Sequence, residues 1–314
     1  MSEEAPEVSV VVPISERHDD MRQLYQLYAD ELTRMGKRFE FLFILDGSFP
    51  VAYKDLCELK EQGNALKIIK FPKTFGESTA LMEGFRQARG NTILTLASYM
   101  QVEPKDLATV FSAYEDGNDL VITRRHPRRD PLLNRMQSIL YHYIIRKLTG
   151  ATFKDITSGM RLINKKILDG FILYGDLHRF IPIFAMQRGI KVTEVKVSQR
   201  EEDIRVRVVK PGIYLRRILD ILTLFFLVKF TKKPLRFFGL IGTALFIPGF
   251  IITLCLGIWR LFGTIGLSNR PLLLLGILLM VFGIQIFSVG LMGELILFSH
   301  AKQLEEYNIA EIIE

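Results

Sequence analysis

The chain has 314 residues, 49% of them hydrophobic, and a formal net charge of +7, enough for one α/β domain with a sizeable core and an appendage. Its charge is uneven: residues 1–236 contain 38 Lys and Arg against 29 Asp and Glu, whereas residues 237–314 contain 3 against 5. A basic part followed by an apolar part indicates a domain held against an anionic membrane surface. With two cysteines, a disulfide scaffold is not expected. The chain starts with Met-Ser-Glu-Glu, so no secretory signal is expected.

The first part of the chain alternates between apolar runs typical of buried strands and segments typical of helices. The strands are expected at residues 8–13, 39–45, 66–70, 93–96, 119–123 and 191–198. Helices of roughly 10 to 15 residues between strands are typical of βαβ units. The pattern therefore predicts an α/β domain over residues 1–210 with a parallel, doubly wound sheet.

Two of these strands end at the edge where open parallel sheets bind their ligands. Asp46 and Gly47 directly follow the second strand, and both a nucleotide pocket and an ordinary Asx-turn are consistent with this pair. Residues 97–102 follow the fourth strand, and they contain no carboxylate. If this edge is an active site, its floor lacks the oxygen ligands that divalent cations prefer.

A basic loop follows the fifth strand. Because arginine binds phosphate oxygens bidentately, its four arginines favour a diphosphate or lipid-phosphate site over a solvated charge run. They are Arg124, Arg125, Arg128 and Arg129. A helix is expected at residues 134–148, two further polar loops lie at residues 155–161 and 176–180, and Ser78 is expected to cap a helix at residues 79–89.

The character of the chain changes near residue 213. Residues 213–229 suit an amphipathic helix in a membrane interface, and a basic collar extends from Lys229 to Arg236. Residues 237–259 carry no charge and residues 271–298 carry only Glu294, so each segment is long enough to cross a bilayer. Because the collar outweighs the two arginines of the connecting loop, we expect an inner-membrane protein with its domain and both termini in the cytoplasm.

These boundaries predict a domain at 1–210, an interfacial segment at 211–236, a membrane hairpin at 237–298 and a cytoplasmic tail at 299–314. Gly276, Gly283, Gly290 and Gly293 fall on one stripe of the second span. Small residues let membrane helices approach closely, so the stripe predicts helix contact, either within the hairpin or in a homo- or hetero-oligomer. The lipid bilayer is an expected partner, and nucleic acid is not.

Short motifs occur in order over nearly the whole chain, at residues 10–13, 45–48, 74–76, 80–81, 84, 88–90, 155–162, 178–180, 233–239 and 290–294. In their order and spacing the chain resembles a family 2 glycosyltransferase of the polyprenyl-phosphate type, similar to dolichyl-phosphate mannose synthase. The resemblance implies a GT-A domain, a nucleotide-diphosphate sugar as donor and a polyprenyl phosphate as acceptor. It also implies that Mg²⁺ or Mn²⁺ neutralises the leaving diphosphate.

The resemblance assigns roles to particular residues. Nucleotide binding would fall to Pro13, Asp46, Lys73 and Gln101, the last matching the glutamine that closes the family's metal motif. Catalysis at the acceptor side would fall to Asp155, Arg161, His178 and Arg179. Arg124 matches an arginine that usually ends the fifth strand.

The chain departs from the family pattern at the metal motif. Ala97 and Tyr99 stand where two aspartates are expected before Gln101, so the resemblance predicts a degenerate metal site. Three interpretations follow: a lipid-linked glycosyltransferase in which arginines replace the charge of the metal, an inactive relative that serves as a partner or regulatory subunit, or a nucleotide-sugar or lipid-phosphate binding module. Ala97 and Tyr99 favour the second of these. The first, a membrane-bound glycosyltransferase, is favoured by the retained Asp46, Gln101, Asp155, His178 and Arg161.

Overall fold

The computed structural model describes residues 5–127, 143, 145–147, 149–168, 170–171, 173–203, 219, 223, 234–262 and 271–300. They form two compact units, one within residues 1–221 and the other within residues 222–305. Most of the predicted helix at 134–148, most of the interfacial segment 211–236 and most of the tail 299–314 lie outside the described residues.

The first unit is built on a seven-stranded sheet in the order β3-β2-β1-β4-β6-β5-β7. Its strands are β1 (Val8–Ile14), β2 (Phe39–Leu45), β3 (Leu66–Lys70), β4 (Thr92–Thr95), β5 (Leu120–Arg125), β6 (Arg161–Asn164) and β7 (Val192–Val197). Its helices are α1 (Met21–Arg34), α2 (Pro50–Glu61), α3 (Glu77–Gln87), α4 (Leu107–Glu115) and α5 (Ile181–Gln187).

Six of the seven strands fall where the sequence predicts them, and the sheet is mostly parallel. The exception is β6, a strand that the sequence pattern did not predict, which runs antiparallel to both β4 and β5. This strand has only four residues and follows directly on a polar loop, so it shows no apolar run of its own. It inserts between β4 and β5, and it thereby carries the loop before it to the carboxyl end of β4.

Helices cover both faces of the sheet, which explains why every residue of β1 is buried. Alternate residues of β1 point to opposite faces. Val10 and Val12 join the core cluster that contains the buried residues of α1. On the other face, a Cβ added to Gly84 of α3 would overlap Val11, so α3 lies directly on β1.

The second unit is a pair of helices, α6 (Pro234–Phe262) and α7 (Pro271–His300). Both are long and apolar enough to cross a membrane, with mean hydropathy 2.2 and 2.6, and most of their side chains are exposed. The predicted spans therefore correspond to helices that extend a few residues further. Leu235, near the start of α6, donates its backbone N–H to Glu294 Oε2 at 3.3 Å, so the lone carboxylate of α7 caps α6.

The glycine stripe of α7 lies against α6 of the same chain. A Cβ on Gly283 would lie 2.7 Å from the carbonyl oxygen of Gly242, and a Cβ on Gly249 would lie 2.6 Å from that of Gly276. These distances leave no room for a side chain, so the small residues let the two backbones touch. The stripe thus has a role inside the hairpin, and an oligomer through these helices stays a prediction.

Candidate functional site

The carboxyl ends of β1, β2 and β4 lie side by side, because the three strands are parallel neighbours. Asp46, directly after β2, is fully buried. Its carboxylate accepts the backbone N–H groups of Phe75 at 2.6 Å and Gly76 at 2.9 Å, which fixes the loop between β3 and α3. Lys73 lies exposed in this loop with its Nζ 5.3 Å from the centre of the Phe75 ring.

Pro13 is buried in β1 beside this loop's anchor, because the register pairs it with Ile44 of β2. Gly47 has a φ of +117°, and a Cβ there would lie 2.8 Å from Thr74 Oγ1. Glycine is therefore required at this position both by the backbone conformation and by the close approach of the loop. Asp46 and Gly47 together fix the loop between β3 and α3 at the carboxyl end of β2, and they do so through contacts with its backbone.

A buried ion-pair cluster lies at the carboxyl end of β5. Arg125 donates two hydrogen bonds to Asp155, at 2.9 Å from Nε and 3.1 Å from Nη2, and its Nη1 is 3.1 Å from Asp203. Its Nη2 also donates to the hydroxyl of Thr157 at 2.9 Å. Burial lowers the pKa of Arg125, but Asp155 and Asp203 more than offset it, so the pKa is raised and the guanidinium stays charged.

This cluster decides where two predicted site residues point. Arg125 and Asp155 are both almost completely buried, so their charges balance each other and neither faces solvent. Arg124, the preceding residue of β5, is partly exposed and pairs in register with Lys196 of β7. Arg128 and Arg129 lie outside the described residues.

The loop before β6 packs directly on the segment after β4. Gln101 accepts the backbone N–H of Gly159 at 2.7 Å, and its amide group donates to the hydroxyl of Tyr99 at 3.0 Å. A Cβ on Gly159 would lie 3.0 Å from the Cβ of Ala97. The family's metal-motif positions are therefore filled by a packed contact between two loops.

A third group of polar residues lies around His178. Its Nδ1 is 3.1 Å from Ser78 Oγ and its Nε2 is 3.5 Å from Glu77 Oε2, so the imidazole links two residues of α3. Ser78 was expected to cap α3, but the helix begins at Glu77 after Gly76, and the Ser78 hydroxyl instead bonds His178. Burial, with the charges of Arg179 and Arg161, lowers the pKa of His178 well below its ordinary value.

Arg161 and Arg179 flank this histidine in different ways. Arg161 is buried and donates to the backbone carbonyls of His178 at 2.7 Å and Ile156 at 3.1 Å, and burial lowers its pKa to about 10. The side chain of Arg179 is 34% exposed and lies 3.8 Å from Asp176. Arg161 thus joins two loops, whereas Arg179 points outward.

The comparison with protein families decides what this edge belongs to. The model named "Glycosyl transferase family 2" matches residues 9–171, which run from β1 to the end of β6 and contain Asp46, Asp155 and Arg161. The chain belongs to this family. Its α/β unit is therefore the GT-A domain of a glycosyltransferase.

Relatives match this glycosyltransferase over almost its whole length. Dodecaprenyl-phosphate galacturonate synthase of Rhizobium johnstonii is 28% identical over 92% of this chain and 87% of its own. Undecaprenyl-phosphate 4-deoxy-4-formamido-L-arabinose transferase of Proteus mirabilis is 27% identical over 99% and 95%. Mannosyl-3-phosphoglycerate synthase of Rubrobacter xylanophilus shares the fold with a TM-score of 0.54, at 13% identity, over 70% of this chain and 74% of that one.

At the metal-motif positions, the described residues of the glycosyltransferase do not offer the carboxylate ligands for the divalent cation that the resemblance implies. Ala97 has no side-chain oxygen, and both polar atoms of the Gln101 side chain are engaged by Gly159 and Tyr99. Hard cations such as Mg²⁺ and Mn²⁺ require carboxylate oxygens. Within the part of the chain that the structure describes, no three His, Cys, Asp or Glu side chains converge on one point.

Several residues of the site were not predicted from the sequence of this glycosyltransferase. Asp203 belongs to an acidic run, and the spacing of residues in the sequence does not indicate that it pairs with the distant Arg125. Glu77 begins α3 and looks like an ordinary acidic first-turn residue. Arg17 lies three residues beyond β1, and its contact with Tyr99 depends on the order of the strands in the sheet.

Proposed function

We propose that this chain transfers a sugar from a nucleotide-diphosphate sugar to a polyprenyl phosphate at a membrane surface. The observation that carries the proposal is the extent of the similarity. Two relatives named as transferases or synthases of polyprenyl-phosphate sugars match 92% and 99% of this chain. Matches of that extent reach beyond the GT-A domain into the apolar helices, where a lipid acceptor would be met.

The proposed reaction is a displacement at the anomeric carbon of the sugar. A phosphate oxygen of the lipid forms a bond to that carbon while the bond from the carbon to the diphosphate breaks. The departing nucleoside diphosphate takes the bonding electron pair. A phosphate monoester has its second pKa near 6, so at neutral pH it is an anion that attacks without a general base.

The engagement of Asp155 agrees with such an acceptor. A hydroxyl acceptor requires a base to remove its proton, and Asp155 is held by Arg125 and by the Thr157 hydroxyl at 2.8 Å. In this proposal Asp155 is a positioning residue that fixes the loop before β6. Asp46 likewise acts through the loop it holds, and Lys73 and Arg179 are the outward cations that contact phosphate oxygens.

An assay of lipid-linked product tests this function. Purified full-length protein in detergent is incubated with undecaprenyl phosphate and, in turn, with UDP-galacturonic acid, UDP-4-deoxy-4-formamido-L-arabinose, UDP-glucose and GDP-mannose. We expect one donor to give a lipid-extractable sugar phosphate. Undecaprenol, which lacks the phosphate, is the matched control and should give no product, and a product on undecaprenol would contradict the phosphate acceptor.

A second candidate function follows from the replaced metal motif. Ala97 and Tyr99 also suit an inactive member of the family that serves as a partner of an active enzyme. Nucleotide binding without transfer from any of the donors would favour this alternative. Co-purification with a second, active glycosyltransferase would then identify the partner.

The sidedness is part of the proposal and has its own test. The basic collar ending at Arg236 supports a cytoplasmic domain with both termini on the same side. Single cysteines at the exposed Gln62 and in the loop at Thr264, in a chain without Cys57 and Cys255, report the two sides. A membrane-impermeant maleimide on intact spheroplasts should label only the loop position, and labelling of Gln62 instead would reverse the orientation.

A further inference from the structure

A guanidinium lies at the degenerate metal motif. Arg17 follows β1 and Tyr99 follows β4, and these strands are parallel neighbours, so the two residues meet at the same edge. The Cζ of Arg17 is 4.1 Å from the centre of the Tyr99 ring. A cation therefore stands over one of the two positions that the family's aspartates are expected to occupy.

Three loops hold this arginine in place. Its Nη2 donates to the backbone carbonyl of Glu202 at 2.7 Å and lies 3.7 Å from Asp19 Oδ1. Its own carbonyl accepts the Ser98 hydroxyl at 2.5 Å, so the loops after β1 and β4 are tied together. A side chain fixed in this way loses little conformational entropy when it binds an anion.

The contacts leave the arginine's charge available. Its side chain is 26% exposed, and its Nε, although buried, has no hydrogen-bond partner among the described residues. Asp19, the carboxylate beside it, also accepts the backbone N–H of Met100 at 3.1 Å. The contrast is with Arg125, whose guanidinium makes close hydrogen bonds to two carboxylates.

The residue at position 99 fits this arrangement. An aspartate there would pair with Arg17 and cancel its charge. An aromatic ring attracts the cation through its face, which orients the guanidinium without neutralising it. The Tyr99 ring therefore holds the Arg17 guanidinium over position 99 and leaves its charge in place.

We infer that Arg17, seated on Tyr99, is a cationic diphosphate-binding group that acts beside Lys73 and Arg179, and that nucleoside diphosphate binding needs no divalent cation. The inference rests on the proposed function for the nature of the ligand. Arginine binds two phosphate oxygens at once through its planar fork. A cation aimed at the leaving diphosphate also stabilises the charge that grows there as the sugar departs.

Calorimetric titration of full-length protein in detergent tests the inference, with UDP and GDP as probes. We expect at least one probe to bind with a Kd that agrees within about twofold in EDTA and in Mn²⁺. Arg17→Gln should weaken that binding about 10- to 100-fold, the range for loss of a charge-assisted contact. Arg34→Gln is the matched control, because Arg34 is 67% exposed on α1 and should bind as the wild type does.

Substitutions of Tyr99 distinguish a specific contact between Arg17 and the aromatic ring from general attraction between charges. Tyr99→Phe keeps an aromatic face, whereas Tyr99→Asp places an anion beside Arg17. Tyr99→Asp should therefore weaken binding at least about tenfold more than Tyr99→Phe. Equal effects of the two substitutions would overturn the pairing.

Three other results would overturn the inference: binding that disappears in EDTA and returns with Mn²⁺, an Arg17→Gln variant that binds as tightly as the wild type, or no binding of either probe. Its failure is distinguishable from failure of the proposed function. Transfer to undecaprenyl phosphate that requires Mn²⁺ would retain the function and remove the inference. Metal-independent binding through Arg17 without transfer to any lipid would do the reverse.

Discussion

Two arginines at the carboxyl edge of the same sheet carry the same charge and have opposite surroundings. Arg125 is buried between Asp155 and Asp203. Arg17 is partly exposed over an aromatic ring, with one carboxylate 3.7 Å away. The first arginine holds the loops of the domain together, and the second has charge to offer a ligand.

The surroundings of each arginine indicate whether it stabilises the fold or binds a ligand. A buried charge must be paired, and once paired it has little left to give to substrate. A partly exposed guanidinium that hydrogen-bonds a backbone carbonyl, with its carboxylate neighbour at 3.7 Å, keeps part of its solvation and still attracts an anion. Substitutions that break inward-facing groups should therefore lower stability, whereas those that remove outward-facing groups should lower binding.

The largest expected effect is on the inward-facing ion pair. Asp155→Asn removes one carboxylate from Arg125 and places an amide against its N–H groups, which leaves Asp203 as its ion-pair partner among the described residues. Breaking a buried pair in this way costs about 3–5 kcal/mol of unfolding free energy. Urea unfolding of the purified protein measures it.

Asp176→Asn is the outward-facing counterpart of that substitution. Asp176 is 30% exposed and lies 3.8 Å from Arg179, so its loss should change the unfolding free energy by less than about 1 kcal/mol. A variant Asp155→Asn that unfolds like the wild type but loses transfer would show that Asp155 acts on substrate rather than on the fold.

The next effect compares two carboxylates that each accept two backbone N–H groups. Asp46 does so in the core, and the exposed Asp20 does so at the start of α1. Asp46→Ala should cost about 1–3 kcal/mol, since two partly buried donors are left without their acceptor. Asp20→Ala should cost less, because water replaces the lost bonds. Equal unfolding midpoints for the two variants would argue against an inward role for Asp46.

A smaller effect depends on pH and concerns His178. Its pKa is lowered in the folded protein, so the unfolded chain takes up a proton first as the pH falls below about 6.5. The free energy of unfolding should therefore fall with pH in that range, by at most about 1.4 kcal/mol per pH unit. His178→Gln should remove this part of the acid sensitivity, whereas substitution of the exposed His126 should not. Unfolding midpoints from pH 7 to pH 5 measure the difference.

The fold was largely predictable because its signals are local. Buried parallel strands are apolar along their length, as in β1, and a membrane helix is apolar for about 20 residues. The strand β6 was missed because four residues between a polar loop and two lysines give no local pattern. Its position depends on the pairing with β4 and β5, which no window of sequence contains.

The site was predictable in part, and for a different reason. Motif spacing singled out Asp155, Arg161 and His178, all three of which are buried, and their roles stay a prediction. Spacing does not say which way a side chain faces, so Arg125 looked like a phosphate ligand and Arg17 was overlooked. Whether an arginine is paired inside the fold or can bind a ligand depends on partners far away in the chain, such as Asp203 for Arg125.

The smallest expected effect on stability belongs to Arg179, and it separates the two roles most cleanly. Arg179→Met removes a side chain that is 34% exposed, so we expect a change in unfolding free energy below about 1 kcal/mol. If Arg179 contacts phosphate oxygens during transfer, the same substitution should lower turnover about 10²-fold, the usual cost of losing one donor to developing charge. Arg86→Met is the matched control, because Arg86 is 74% exposed on α3 and should leave both quantities unchanged. Unfolding and transfer to undecaprenyl phosphate are measured on the same preparations. If Arg179→Met is destabilised, Arg179 belongs with Arg125 among the charges that hold the fold together. If the variant is stable and fully active, Arg179 has no role in transfer.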